Sequence, residues 1–152
     1  MGQFKVLVIG ESAALRQHIN FVLSQQRFII IEASDIHTGL EKIQEESFYL
    51  VIVDNLVSPS STMDFLQKVR KVSGCSAVPI LLIKEESSPL LETGVSVIPL
   101  PPNGRIAADN LDFYYITKPF SMFALNSMVK KIFQDIYTAS SPDSRSITLT
   151  GS

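Results

Sequence analysis

The chain has 152 residues, of which 45% are hydrophobic, and its formal net charge is −2. This length is enough to bury one sizeable core, so a single domain is expected. Basic and acidic residues are scattered without a lysine- or arginine-rich block, so the sequence gives no reason to expect binding to nucleic acid or to an anionic membrane. Apolar runs such as 79–83 are too short to cross a bilayer.

Cysteine usage and the N-terminus indicate the compartment. The single cysteine, Cys75, excludes an internal disulfide framework and fits a reducing environment. The first residues run almost directly into an apolar strand and show no signal-peptide pattern. We therefore expect a cytoplasmic protein.

Five short apolar segments predict β-strands, at 4–9, 28–31, 50–53, 79–83 and 113–116. Each is apolar throughout rather than alternating, which is typical of strands buried on both faces. Apolar residues at helical spacing follow them, and Ser12, Ser34 or Asp35, Ser61 or Thr62, and Ser121 are the predicted helix starts. Strand and helix alternate, so we predict a doubly wound α/β fold with a parallel sheet between helices.

Two segments interrupt this rhythm. Residues 85–112 should contain a fourth helix but carry four prolines and two glycines, so we expect an irregular region with an extended piece and a turn. Residues 138–152 include eight serines or threonines among fifteen residues. That composition buries too little apolar surface to offset the entropy of ordering. We therefore expect a domain at 1–137 and a disordered tail or linker at 138–152.

Polar residues stand where the predicted strands end. Glu11, Asp54, Lys84 and Lys118 each come just after or at the end of such a segment. The carboxyl ends of parallel strands meet at one edge of the sheet, where open α/β folds bind their ligands. Two carboxylates and two ammonium groups are therefore expected to converge there.

The segments around these residues resemble a known family. "KVLVIGES", "LVIVDNLVSPSSTMDF", "VPILLIKEE" and "DFYYITKPF" are similar, in order and spacing, to the four signature segments of a bacterial response-regulator receiver domain. The resemblance covers roughly residues 4–137. It implies a flavodoxin-like, five-stranded parallel sheet in the order 2-1-3-4-5 with five helices. It also implies a non-enzymatic module of a two-component phosphorelay, with a histidine kinase or phosphotransfer protein upstream, a downstream protein partner, and a homodimer as one assembly.

The resemblance also implies roles for single residues. Asp54 matches the aspartate that accepts a phosphoryl group, and Lys118 matches the lysine that contacts this group. Pro119 matches a proline that follows a cis bond, and Tyr115 matches the aromatic switch position. Leu56 would supply a backbone carbonyl to Mg²⁺.

The chain departs from the family at the positions that would hold the metal. The family has two adjacent acids after the first strand, whereas this chain has Gly10 and Glu11. Glu11 and Asp54 would remain as carboxylate ligands, and because Mg²⁺ demands near-ideal octahedral geometry we expect its binding to be weakened. Lys84 replaces the serine or threonine that ends the fourth strand, and its ammonium group could assume part of the metal's electrostatic role.

Two mechanisms and one competing class follow from these residues. In the first mechanism Asp54 is phosphorylated slowly, with Glu11 holding the metal. In the second, a pseudo-receiver, Lys84 and Lys118 neutralise the carboxylates and regulation proceeds by binding or abundance. The competing class is a small flavodoxin-like enzyme or nucleotide-binding protein, and the lack of a glycine-rich phosphate loop counts against it.

Overall fold

A computed structural model describes residues 4–26, 28–54, 59–72, 78–84, 103–106 and 113–138, with only the backbone described at 59–63, 103–106 and 137–138. The strands are β1 Phe4–Ile9, β2 Phe28–Ala33, β3 Leu50–Asp54, β4 Ile80–Lys84, β5 Asn103–Ile106 and β6 Phe113–Thr117. The helices are α1 Ala13–Ser24, α2 Ile36–Glu45, α3 Pro59–Lys71 and α4 Met122–Phe133, and a π-helical turn follows at Gln134–Thr138. Within these residues no helix is both long and apolar enough to cross a bilayer.

The sheet has the strand order β2-β1-β3-β4-β6-β5. The five predicted strands are all parallel and lie in the predicted order 2-1-3-4-5, with β6 as the fifth of them. This confirms the predicted flavodoxin-like fold. The sequence did not predict β5, which pairs antiparallel with β6 and so adds a sixth strand at that edge. The rest of the segment expected to be irregular, and the tail after 138, lie outside the described residues.

Three of the predicted helix starts are confirmed by side-chain caps. The Ser12 hydroxyl accepts the backbone N–H of Leu15 at 3.1 Å, and the Ser121 hydroxyl accepts that of Ala124 at 3.0 Å. Of the alternatives Ser34 and Asp35, the cap is Asp35. A short polar side chain at this position satisfies one N–H of the first turn, which would otherwise have no partner.

The start of α3 differs from the prediction. The helix begins at Pro59, two residues before the nearer predicted start, Ser61. A proline fits the first helical position because its missing N–H is not needed there and its φ angle is already helical. This known preference of proline was the overlooked signal.

The sheet is covered on both faces. One face packs against α2 and α3 through Val51, Val53, Leu82 and Tyr115. The other packs against α1 and α4 through residues that alternate with these along the same strands: Leu50, Ile52, Leu81, Ile83, Tyr114 and Ile116. Burial on both faces explains why the strand sequences are apolar throughout. It also leaves the strand ends as the place where polar side chains can lie.

An aromatic cluster lies at the end of the sheet where the strands β1 and β2 begin. The ring of Phe4 lies 4.8 Å from that of Tyr49 and 5.5 Å from that of Phe133, measured between centroids. Phe28 lies 5.0 Å from Phe133. These edge-to-face contacts attach the end of α4 to the starts of β1 and β2.

Gly39 allows α2 to lie directly on β1. A Cβ atom at residue 39 would lie 2.7 Å from Cγ1 of Ile9 and still closer to its Cδ1. Overpacking of this kind costs about 1–3 kcal/mol, whereas the better helix propensity of alanine returns about 1 kcal/mol. We therefore expect Gly39→Ala to lower the free energy of unfolding, as measured by urea denaturation. Ile9→Val, which removes Cδ1, should reduce the penalty in the double variant; an unreduced penalty would contradict this cause.

The cap of α2 should depend on pH. The backbone N–H of Thr38 donates to Asp35 at 2.7 Å, and this hydrogen bond is the main cause that lowers the pKa of the Asp35 carboxyl below its ordinary 3.8. A lowered pKa stabilises the fold above the ordinary value, and this contribution is lost as the pH falls through the folded pKa. Asp35→Ala should therefore reduce the urea midpoint at neutral pH, and the difference should shrink below pH 3.8. Asp35→Asn keeps a neutral acceptor and serves as control; a pH-independent difference for Asp35→Ala would contradict the account.

Candidate functional site at the carboxyl edge of the sheet

Four strand ends meet at the carboxyl edge. Ile9 pairs with Val53, so the next residue, Gly10, lies beside Asp54. Asp54 in turn pairs with Ile83, and Lys84 is one residue further along β4. Lys84 pairs with Thr117, which places Lys118 immediately beyond β6. The strand registers therefore bring Gly10, Asp54, Lys84 and Lys118 to one edge.

Asp54 and Lys118 form an ion pair. Lys118 Nζ lies 3.0 Å from Asp54 Oδ1. Asp54 is only 8% exposed, whereas the Lys118 side chain is 30% exposed. Oδ1 is buried and accepts no well-directed hydrogen bond from the described residues, so we interpret the contact as one between charges. A buried carboxylate is costly unless a cation compensates it, and Lys118 supplies that cation.

Lys84 brings a second positive charge to this edge. Asp54 and Lys84, which is 9% exposed, are the buried charged residues in the described part of the chain. The carbonyl of Lys84 accepts the N–H of Lys118 at 2.8 Å, so the backbones of the two lysines are joined. By strand alternation Lys84 lies on the α2/α3 face and Asp54 on the α1/α4 face. Lys84 thus contributes positive potential to the edge from the neighbouring strand.

Gly10 brings the backbone of β1 unusually close to Asp54. A Cβ atom at residue 10 would lie 3.0 Å from Asp54 Cβ and 3.6 Å from Oδ2. A distance of 3.0 Å is tighter than nine in ten real contacts of a Cβ atom. The missing side chain therefore permits an approach that an acid at this position would not allow without a shift.

A polar cluster holds Gly10 in this place. The N–H of Gly10 donates to the carbonyl of Ala33 at 3.0 Å, and its own carbonyl accepts from Nη1 of Arg16. Arg16 Nε also lies 3.1 Å from Oε1 of Glu32, whose Oε2 accepts from Asn20 at 3.0 Å. The sequence did not predict this cluster. Glu32, the one charged residue in the otherwise apolar strand "FIIIEA", was the signal.

The remaining predicted site residues are placed as follows. Glu11 is exposed, and Leu56 lies outside the described residues. The peptide bond between Lys118 and Pro119 is cis. Tyr115 is 2% exposed within the α2/α3 face, and its burial raises the pKa of the hydroxyl above its ordinary value.

The described residues at this edge offer few carboxylate ligands for Mg²⁺. Among them, no three histidine, cysteine or acidic side chains come together as a metal cluster. Mg²⁺ requires near-octahedral oxygen ligands at short, closely defined distances. At this edge Asp54 is already paired with Lys118, Glu11 is exposed, and Gly10 provides no carboxylate.

The site thus consists of a buried acid at the end of the central parallel strand, paired with a lysine beyond the last parallel strand. No family model matches the chain. It is 26% identical over 137 residues to the phosphate regulon transcriptional regulatory protein PhoB of Escherichia coli, covering 87% of this chain and 52% of PhoB. The chain thus spans about half the length of the curated relatives that it matches.

Solved structures share the fold. The chemotaxis response regulator CheY4 of Vibrio cholerae has a TM-score of 0.64 at 23% identity, over 86% of this chain and 99% of CheY4. The receiver domain of a histidine kinase from Syntrophus aciditrophicus has a TM-score of 0.64 at 17% identity, over 88% of this chain and 92% of that domain.

These similarities support a divergent receiver domain of the two-component type, and they do not favour the flavodoxin-like enzyme or nucleotide-binding alternative. Receiver domains are generally non-enzymatic signalling modules that interact with histidine kinases and downstream effectors. They generally bind Mg²⁺ at an acidic phosphorylation site. The set of groups described here at the strand ends departs from that pattern.

The ion pair should contribute measurably to stability. Lys118→Met keeps the apolar stem but leaves the Asp54 carboxylate buried without this cation, which we expect to cost about 2 kcal/mol in free energy of unfolding. Asp54→Asn/Lys118→Met should cost less than the two single changes added together, because the uncompensated charge is gone. Lys131→Met is the control, since its 3.6 Å pair with Asp135 is largely exposed. Urea denaturation measures all four; equal effects of Lys118→Met and Lys131→Met would contradict the assignment.

Proposed function

We propose that this chain is a receiver-type signalling module of a two-component pathway, controlled by the Asp54–Lys118 pair and acting through contact with another protein. The 3.0 Å contact between Asp54 Oδ1 and Lys118 Nζ carries the proposal, because it joins the end of the central strand to the end of β6. In the phosphorylation mechanism the upstream partner is a histidine kinase or a phosphotransfer protein. The downstream partner is a protein in the cytoplasm, and a second copy of the chain is a candidate for the same contact.

The pair links the pocket to the elements that would carry output. Lys118 follows β6 directly, and α4 begins four residues later at Met122. Any event that draws Lys118 away from Asp54 therefore acts on both β6 and the start of α4. Tyr115 is a buried residue of β6. A change at the carboxylate can in this way alter the surface that a partner meets.

The chemistry available to Asp54 is limited by its surroundings. Phosphorylation would form a bond between a carboxylate oxygen and phosphorus while the bond from phosphorus to the donor's leaving atom breaks; that atom is an imidazole nitrogen in a phosphohistidine and an oxygen in acetyl phosphate. The incoming phosphoryl oxygens need fixed positive charge, which here comes from Lys118. Binding of Mg²⁺ by Glu11, Asp54 and the carbonyl of Leu56 would be weak, because Gly10 replaces an acid. The pseudo-receiver mechanism is therefore the one that we favour, with the carboxylate neutralised by lysine and regulation by binding or abundance.

Small phosphodonors test this choice. We expect incubation with acetyl phosphate, or with beryllofluoride, in the presence of Mg²⁺ to leave Asp54 unmodified, because the carboxylate is engaged by Lys118 and a metal-ligand carboxylate is missing. Intact-mass spectrometry reports the acetyl phosphate reaction, and ¹⁹F NMR reports beryllofluoride. Asp54→Ala is the control for modification elsewhere.

The result that overturns the pseudo-receiver mechanism is stoichiometric modification that disappears in Asp54→Ala. A parallel reaction with EDTA in place of Mg²⁺ shows whether any such modification depends on the metal.

A further inference from the structure

We propose that Arg16 is a positioning residue that holds the end of β1 against Asp54, and that this arrangement makes the pocket independent of a metal ion. The inference rests on the proposed function only in taking Asp54 as the regulated carboxylate. It concerns the cluster of Arg16, Asn20 and Glu32, which the proposed function leaves without a role.

The first argument is the space beside Asp54. Gly10 lies opposite Asp54, where a side chain would project onto the same face of the sheet. A Cβ atom there would come to 3.0 Å from Asp54 Cβ, a distance tighter than nearly all real contacts of this kind. Asp54 Cβ is attached to the backbone of a fully buried strand, so it cannot swing away as the tip of a long side chain could. A second carboxylate on residue 10 would therefore require the strand ends to move apart by a few tenths of an ångström.

The second argument is that both polar groups of Gly10 are engaged. Its N–H is bonded to the carbonyl of Ala33, and its carbonyl is bonded to the guanidinium of Arg16. The same guanidinium reaches Glu32 through Nε. A planar guanidinium can make both contacts at once because its donors point in fixed, divergent directions, whereas a lysine ammonium lacks this fork. Arg16 therefore connects the turn after β1 to the end of β2.

The third argument is that the nearby carboxylates are either engaged by other side chains or exposed. Glu32 accepts hydrogen bonds from Arg16 and Asn20, so its two oxygens are used within the cluster. Glu11 is exposed, and Asp54 is paired with Lys118. A divalent cation approaching Asp54 would meet the Lys118 ammonium at its ligand. Positive charge from Lys118 thus replaces charge that a metal would supply.

Arg16 acts on the pocket through Gly10, which it contacts directly, and the Gly10 backbone sets the room beside Asp54. A role in positioning differs from a role in stability alone. If Arg16 positions Gly10, replacing Arg16 should change the affinity of the pocket for Mg²⁺ once a carboxylate has been introduced at residue 10. If Arg16 only stabilises the fold, cation binding should stay the same in every folded variant.

Titration with MgCl₂, followed by ¹H–¹⁵N NMR of the labelled full chain, tests the inference. In the wild type we expect no saturable shift of the amides of residues 10 and 54 through the millimolar range. Gly10→Asp alone should bind Mg²⁺ weakly or not at all, because the restored carboxylate has no room. Gly10→Asp/Arg16→Lys should bind at least roughly tenfold more tightly than Gly10→Asp, the size of effect that residues behind metal ligands commonly have.

The matched control is Gly10→Asp/Arg70→Lys. Arg70 makes the same kind of contact, from Nη1 to the carbonyl of Val78 at 2.7 Å, but it lies on α3 and joins that helix to the residues before β4. This double variant should behave like Gly10→Asp. If it gains Mg²⁺ affinity to the same degree as the Arg16 variant, the effect is general loosening and the positioning role is wrong.

Two other outcomes overturn the inference. A saturable Mg²⁺ shift in the wild type that is lost in Asp54→Ala would show that the pocket holds the metal after all. Equal affinity in Gly10→Asp and Gly10→Asp/Arg16→Lys would show that Arg16 does not control the space. If the double variant does not fold, hydrogen exchange of the Gly10 amide in Arg16→Lys decides: faster exchange than in Arg70→Lys supports the positioning role, and equal exchange contradicts it.

Failure here is separate from failure of the proposed function. Asp54 that is modified equally with Mg²⁺ and with EDTA would contradict the pseudo-receiver mechanism and leave metal independence standing. Saturable Mg²⁺ binding without modification of Asp54 would contradict metal independence and leave the signalling role standing.

Discussion

A carboxylate cannot remain buried and charged without a cation beside it, and the carboxyl edge of this sheet is organised around that requirement. Asp54 ends a strand whose residues are all buried, and Lys118 provides the compensating charge at 3.0 Å. Only β4 lies between β3 and β6 in the sheet. The long side chain of Lys118, which follows β6, can therefore reach Asp54. The backbone bond from Lys118 to the carbonyl of Lys84 keeps these strand ends aligned. The ion pair therefore depends on the register of the whole parallel sheet.

Two glycines allow close packing at the end of β1. Ile9 touches Gly39 of α2, and the next residue, Gly10, touches Asp54 of β3. Two glycines thus let a helix and a strand approach adjacent residues of one strand, in positions where a methyl group would collide. Arg16 and Ala33 then hold the second glycine by hydrogen bonds. This close packing, more than the loss of a single acid, sets the pocket apart from one built around a metal.

The sequence predicted what depends on local pattern and on strand order. Apolar runs predicted the strand positions, and a short polar side chain before a helix predicted the cap at Ser12. The geometry of parallel strands predicted that Asp54 meets Lys118. The sequence did not predict β5, because "NGRI" has no apolar run and its pairing is decided by the neighbouring strand. Nor did it predict the contact of Arg16 with Glu32, which joins a helix to the next strand. Distance and side-chain direction decide such a contact, and neither is visible in periodicity.

The short antiparallel strand β5 changes how this sheet ends. Without it β6 would be the outermost strand, with one row of backbone donors and acceptors free to join another chain. Paired from Asn103 to Ile106, β5 occupies that row along Phe113–Ile116, so β6 has a neighbour on each side. A strand of only four residues is itself a poor template for further sheet growth. β6, which carries Tyr115 and leads to Lys118, is in this way shielded from edge-to-edge aggregation. A partner protein would have to recognise side chains here instead of extending the sheet.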